Sequence, residues 1–559
     1  MVSEYSAYNT KVGVAQSGDT LFVKSGGRIH AEPGSRISPY EGMGLYFPAD
    51  YQAYGDGIQD DTDALNNLME DAAENAGGVA YLDPRCTYLV GSQTHLIPQN
   101  NIRFVGGGTI KLADSSAIAT SRAIFYGDSV ENFILDGIAI DGNRDQNTDI
   151  TSVMFLGTSR NCHVRHCDFL RSSNSAVYFR GGEVFSAHDN FSEDSRATDM
   201  RVGFDVSKVT VAKNHLICTG DYVQHDDGFI AVRWDGPDQI SIIDNILEAP
   251  AGSGASFGIW VTNGNNVLVR GNQIKIPDGS GIFLNYSQGL EAGTSTTSND
   301  ISTGEKTFTT QAGESWVAGN PIIVFQTSSS GNFLYGTVTS YSGTTLVAEI
   351  TSTGGSGTGI TAWTLQRALN LTNHIITQNI IECEGGIISL DTNHHANING
   401  LQVTDNSVIC GASQGIAVKE INANTTFSNV VVGNNVVNGT PDNSADKGIL
   451  VGTATVSNNT VDLQYNGSNS TDGIDCYGVG SVIVGNRVNL HGAASGRGII
   501  TRANQALITG NRVTGTSGNG IRCDTGTDYN VVSNNILAST GVISVAGASS
   551  KVDGSNVSL

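Results

Sequence analysis

One phrase recurs from about Asn190 to Asn535: an asparagine, any residue, then a small aliphatic. It stands at Asn214-His215-Leu216, Asn245-Ile246-Leu247, Asn272-Gln273-Ile274, Asn406-Ser407-Val408, Asn486-Arg487-Val488, Asn511-Arg512-Val513 and Asn535-Ile536-Leu537. Within the runs 214–272 and 486–535 the returns come roughly every 24 to 31 residues, a period that marks a solenoid of stacked repeats. Between them runs a second phrase, Gly leading alternating apolar residues, as in Gly258-Ile259-Trp260-Val261, Gly281-Ile282-Phe283-Leu284, Gly415-Ile416-Ala417-Val418 and Gly448-Ile449-Leu450-Val451. Period-two alternation closed by Gly and Asn turns predicts an all-β chain wound as a single-stranded right-handed parallel β-helix. Such a coil offers a long, rigid, grooved surface, a shape suited to a long polymer.

The chain has 559 residues, more than one ordinary globular core, which implies an elongated body with accessory pieces. Its formal charge of −23 excludes nucleic acid as a general partner, because phosphates are repelled from most of the surface. No Asp-x-Asp-x-Asp-Gly loop is present, so no metal and no cofactor is expected. The eight cysteines are scattered without a Cys-x-x-Cys knuckle and read as small buried thiols. The segment Met1-Val2-Ser3-Glu4-Tyr5 shows no basic or apolar leader, and no run reaches transmembrane length. Synthesis without a signal peptide and no membrane insertion are the expectations.

Four regions are expected: a β lead-in over 1–45, a first stretch of β-helix over 46–290, an inserted small β domain over 291–366, and a second stretch of β-helix over 367–559. Within 46–290, Ala64, Leu65, Leu68, Met69, Ala72 and Ala73 follow helical spacing until Gly77-Gly78. This predicts a short capping helix, started by Asp61 or Thr62, that closes the open end of the solenoid.

Alternation also nominates a site. If apolar positions of each strand point inward, the intervening ones point out. On this rule Phe204 and Val206 are internal and Asp205 external, while Asp227, Phe229, Ala231 and Arg233 face solvent. Tyr178 and Arg180 are exposed one coil before, Trp260 and then Phe283 and Asn285 after. Asp205 and Asp227, on successive coils, form the expected pair of catalytic carboxylates, one to protonate a leaving oxygen and one to activate water or attack. Asp226 supplies a like charge that raises a neighbouring pKa. Arg180, Tyr178, His225, Arg233, Trp260, Asn285 and Asp391 are the expected substrate contacts, with Trp260 as a flat platform for a sugar ring. The bland reading is that these are solvated turn carboxylates balanced by arginines. Asp472 and Asp475 read as surface residues without companions of opposite charge, and His394-His395 lacks a third ligand for a metal.

Gly55-Asp56-Gly57 through Asp60-Asp61-Thr62-Asp63-Ala64-Leu65 resembles the entry motif of the pectate-lyase-like superfamily, shared by many bacteriophage tailspike depolymerases. Lys306-Thr307-Phe308-Thr309 with Gly336-Thr337-Val338-Thr339 is similar to a module of phage structural proteins. The stretch from His225 to Arg233 also resembles the Asp-Asp strand of polygalacturonase-type hydrolases, although Phe257-Gly258-Ile259-Trp260 stands where that family carries Gly-His-Gly. The resemblance implies a virion tailspike, often a homotrimer, joined to other tail proteins through its N-terminus, that binds and cuts bacterial cell-surface polysaccharide. An endo-acting glycoside hydrolase is the first expectation. A lyase acting on a uronate glycan through His225, Arg233 and Tyr178, or a non-catalytic adhesin, are the alternatives. The insert, which leaves the coil just past Tyr286, would form one wall of the cleft.

Overall fold

The computed structural model describes three short strands, Val12–Val14, Leu21–Val23 and Ile37–Tyr40, and then residues 43–558, apart from 92–93, 117, 119–122, 220–227, 234–236, 263, 286–291, 313–315, 368, 392–395, 412–413, 421–425, 441–446, 465–470, 493–495, 516–517, 525–526, 539–541 and 547–548. The body is a right-handed parallel β-solenoid of about 15 turns, with one α-helix among the described residues. A representative coil runs through three faces. Val206–Ala212 lies on the first face, His215–Ile217 on the second and Ile230–Arg233 on the third, before Asp238–Ile243 returns to the first. Each strand pairs in parallel with its equivalent one coil on.

The asparagine phrase turns the corner between the first and second faces. The residue before the asparagine adopts a left-handed backbone, as at Lys213, Asp244, Gln378 and Asp405, which bends the chain sharply. The asparagine itself is buried, where an unmatched amide would be costly. Asn214 Nδ2 donates to Asn245 Oδ1 at 2.9 Å and to the Ala187 carbonyl at 2.9 Å. The same bonds recur through Asn272, Asn379, Asn406, Asn435, Asn459, Asn486, Asn511 and Asn535. Asn272 reaches Asn379 directly, so the coil continues in register across the insert.

Inside, the apolar columns merge into one core from Tyr46 to Leu537. The helix Thr62–Glu74 lays Leu65, Leu68, Met69 and Ala72 on the end of this core. Asp61 stands at its N-cap, yet its carboxylate makes no cap bond. It accepts instead from the Tyr54 and Gly55 N–H groups, at 2.6 and 3.1 Å, and so pins the Gly-Asp-Gly loop. The eight cysteines are free thiols, buried apart from half-buried Cys86. Between Ala292 and Arg367 six antiparallel strands enclose their own core around Phe308, Trp316, Val324, Leu346 and Trp363.

Candidate active site on the third face and its corner

Alternation places Val177, Met200, Ile230, Ile259 and Ile282 inward on successive rungs of the third face, all buried. The outward column is Tyr178, Arg201, Ala231, Trp260 and Phe283. Outward is not exposed, however. Trp260 is only 6% exposed, and Tyr178, Arg233 and Ala231 are buried too, while Phe229, expected to face solvent, lies in the main core. Rungs stack about 4.8 Å apart, so large outward side chains cover one another. The Trp260 ring lies 5.1 Å from that of Phe257 and 6.2 Å from Phe283, and the Arg233 guanidinium sits 4.4 Å above it. Trp260 is therefore no open platform.

Asp205 is also displaced from the expected position. The rung is Thr198–Gly203, with Met200 and Val202 inward and Arg201 outward; it ends at Gly203, opposite Arg233. Phe204 and Asp205 follow in a turn at φ 47° and 49°, and Val206 already begins the first face. Phe204, expected inside, is 36% exposed. At the opposite end of the next rung, the Phe229 carbonyl accepts from the Asp199 and Met200 N–H groups. Asp205 thus lies past one end of the ladder, whereas the residues that follow Asp227 begin at the other. His225, Asp226, Asp227 and His394-His395 lie outside the described residues. Asn285 and Asp391 close the strands Gln273–Asn285 and Ile380–Asp391, and their side chains are likewise not described.

Asp205 instead joins two carboxylates that alternation along one strand does not reveal. A groove of about 580 Å³ at the corner between the third and first faces is lined by Asp205, Glu131, Glu183, Arg160, Asn100, Ser129 and Thr158. Its floor turns at Gly182, φ 101°, where a Cβ would stand 1.8 Å from the Ser159 carbonyl oxygen. Glu131, Arg160 and Glu183 face one another on successive rungs of the first face. Arg160 lies 2.7 Å from Glu131, and Lys208 lies 2.7 Å from Glu183. The Lys208 ammonium holds the Glu183 carboxyl below its ordinary pKa. Among the described residues no three such side chains gather tightly enough for a metal ion. Arg180, exposed, stands 5.3 Å over the Phe204 ring at the rim of this groove. The Arg201 guanidinium lies 5.5 Å from the Tyr178 ring beside it. Burial pushes the Tyr178 phenol up to about 12, against the pull of Arg201, Arg180 and Arg233.

Asp199 is a further titratable group that strand reading missed. It is fully buried, accepts from Ser192 Oγ at 2.5 Å, and is pushed up to about 7 by burial. Its second oxygen has no hydrogen-bond partner among the described residues.

Residues 49–176 match the family model described as rhamnogalacturonase A/epimerase, pectate lyase-like. Mannuronan C5-epimerase AlgE2 of Azotobacter vinelandii is 32% identical over 126 residues, 20% of this chain. Plasmin and fibronectin-binding protein A of Streptococcus pneumoniae is 28% identical over 204 residues, 32% of this chain. The chain spans 12% of the length of the former and 28% of the latter. Among solved structures, a tailspike protein variant of E. coli bacteriophage HK620 aligns with a TM-score of 0.44 at 12% identity, over 89% of this chain and 77% of the other. An exopolygalacturonase from Thermotoga maritima aligns at 0.37 and 10% identity, over 94% of this chain and 93% of the other. The matched residues 49–176 include the entry motif at Gly55 to Leu65.

Proposed function

We propose that the protein is a tailspike-like endoglycosidase that lays a bacterial cell-surface polysaccharide across the third face and cuts it in the corner groove. The observation that carries this reading is the meeting of Asp205, Glu183 and Glu131 in one groove beside an exposed ring and cation, Phe204 and Arg180. Glycosidic cleavage needs one carboxyl to protonate the leaving oxygen and a second to activate water or attack. Glu183, kept ionised by Lys208, suits the second role, and Asp205 on the opposing turn suits the first. Phe204 offers its face to the apolar side of a sugar ring. The ion pairs around the groove are exposed, and such pairs are weak enough to exchange partners when substrate enters. The virion tail, the homotrimer and attachment through the N-terminus belong to this proposal through the resemblance of the entry motif.

The test is release of reducing ends from host polysaccharide. Asp205→Asn is expected to lower the rate by about two orders of magnitude or more, with binding retained. Glu183→Gln is expected to do the same. Unchanged turnover in both variants removes the groove as the site. No reducing ends with the wild-type protein, but firm binding, leaves an adhesin.

A second reading is favoured by Arg180, Arg201 and Arg233, three guanidinium-bearing residues on successive coils beside Tyr178. Cations of this kind neutralise a uronate before its C5 proton is removed, the chemistry of a lyase or an epimerase. The high Tyr178 pKa weighs against that residue as the base. New ultraviolet absorbance from an unsaturated product would select this reading over hydrolysis.

A further inference from the structure

A second charged cluster stands seven rungs farther along the third face. At about 4.8 Å per rung it is roughly 34 Å from the corner groove along the coil axis. Asp472 and Asp475, expected as solvated carboxylates without partners, are fully buried there and well paired. Lys447, Asp472 and Arg497 face one another on consecutive rungs, with Lys447 Nζ 2.7 Å and Arg497 Nε 2.6 Å from the Asp472 carboxylate. Arg502 lies 3.1 Å from Asp475 and 3.0 Å from Asp524, and Arg522 takes the other Asp524 oxygen at 2.5 Å. Three of the five N–H groups of Arg502 are thereby engaged, so the guanidinium is held firmly with two donors to spare.

Beside this network stands a ring that is partly exposed and has two cations over it. Tyr477 is 39% exposed, with Arg502 Cζ 5.2 Å and Lys419 Nζ 4.8 Å from its centroid. Lys419 has no carboxylate partner among the described residues. Among the described side chains, five cations, Lys419, Lys447, Arg497, Arg502 and Arg522, surround three carboxylates in a chain of charge −23. A partly exposed ring with two cations over it fits a sugar that carries an acid group, its carboxylate on the cations and its C–H groups against the exposed part of the ring.

We propose that this face is a second glycan site, which seats an acidic sugar residue on Tyr477 between Lys419 and Arg502 and holds the same polymer that enters the corner groove. This rests on the reading that the chain handles polysaccharide, and not on where the polymer is cut. Two linked sites on one long ligand raise its affinity well above that of either alone.

Retention of the full chain on immobilised bacterial capsular polysaccharides, some containing uronic acids and some neutral, tests the proposal. Wild-type protein is expected to hold acidic polymers, less so at high salt. Tyr477→Ala is expected to weaken that binding by about tenfold and Lys419→Ala by a smaller factor, with melting temperatures unchanged. Asp205→Asn is expected to hold the polymer as wild type does while failing to cut it, so the groove and the second site fail separately. Wild-type affinity in both Tyr477→Ala and Lys419→Ala, or wild-type protein that holds only neutral polymers or none, overturns the proposal.

Discussion

Asp199 and the pair Asp472 and Asp475 lie on the same face of the coil, and all three are fully buried. They meet the cost of burial in opposite ways. Asp199 is answered by the hydroxyl of Ser192, with no cation within bonding distance among the described residues, and its pKa rises to about 7. Asp472 and Asp475 are answered by Lys447, Arg497 and Arg502 from neighbouring rungs. Burial raises Asp475 as well, but Arg502 pulls against it. In one region the acid gives up its charge. In the other the fold supplies counter-ions, which holds a set of cations in place around the acids. The difference underlies the proposal that the second region holds an acidic ligand.

The sharpest way to break this comparison is Arg502→Met. It strands Asp475 and unbalances Asp524, and loss of one partner from a buried pair costs about 3 kcal/mol or more. Chemical denaturation should show that loss, whereas Arg180→Met, at an exposed position, should change stability by less than about 0.5 kcal/mol. Equal effects would mean that the C-terminal network is not holding its carboxylates.

The asparagine ladder crosses both regions and should not distinguish them. Asn214→Ala and Asn486→Ala each leave buried partners unmatched, and each should cost about 2 kcal/mol. A large inequality would show that the two halves of the coil unfold separately.

A smaller effect is expected from pH. The folded pKa of Asp199 lies above its unfolded value, so the native state keeps a proton that the unfolded chain releases. Stability contributed by this group therefore falls as pH rises from about 4 to about 7. Asp199→Asn should flatten that slope in melting temperature against pH. Parallel profiles for variant and wild type would contradict a neutral buried acid.

Much of the coil was legible because its signals are local. The asparagine phrase names the corner, and Gly-led alternation sets Ile230 and Val232, or Ile259 and Val261, inside. The site was less legible for three physical reasons. The strand Thr198–Gly203 is not led by Gly, so its inward pair, Met200 and Val202, was passed over and Asp205 was set on a strand when it lies in a turn. Facing outward was equated with exposure, whereas stacked rungs bury Trp260 beneath Phe257, Phe283 and Arg233. Glu131, Glu183 and Asp205 meet across turns of different coils, which no single repeat displays. The partners of Asp472 could have been found: Lys447, Asp472 and Arg497 each stand directly before a Gly-Ile pair.

The most direct measurement is a crystal structure of the Asp205→Asn protein with an oligosaccharide of its host polysaccharide. The account predicts sugar density in the corner groove, with one ring against Phe204 and a glycosidic oxygen between residue 205 and Glu183. A corner groove empty of sugar in a crystal whose oligosaccharide is bound elsewhere on the protein would contradict it.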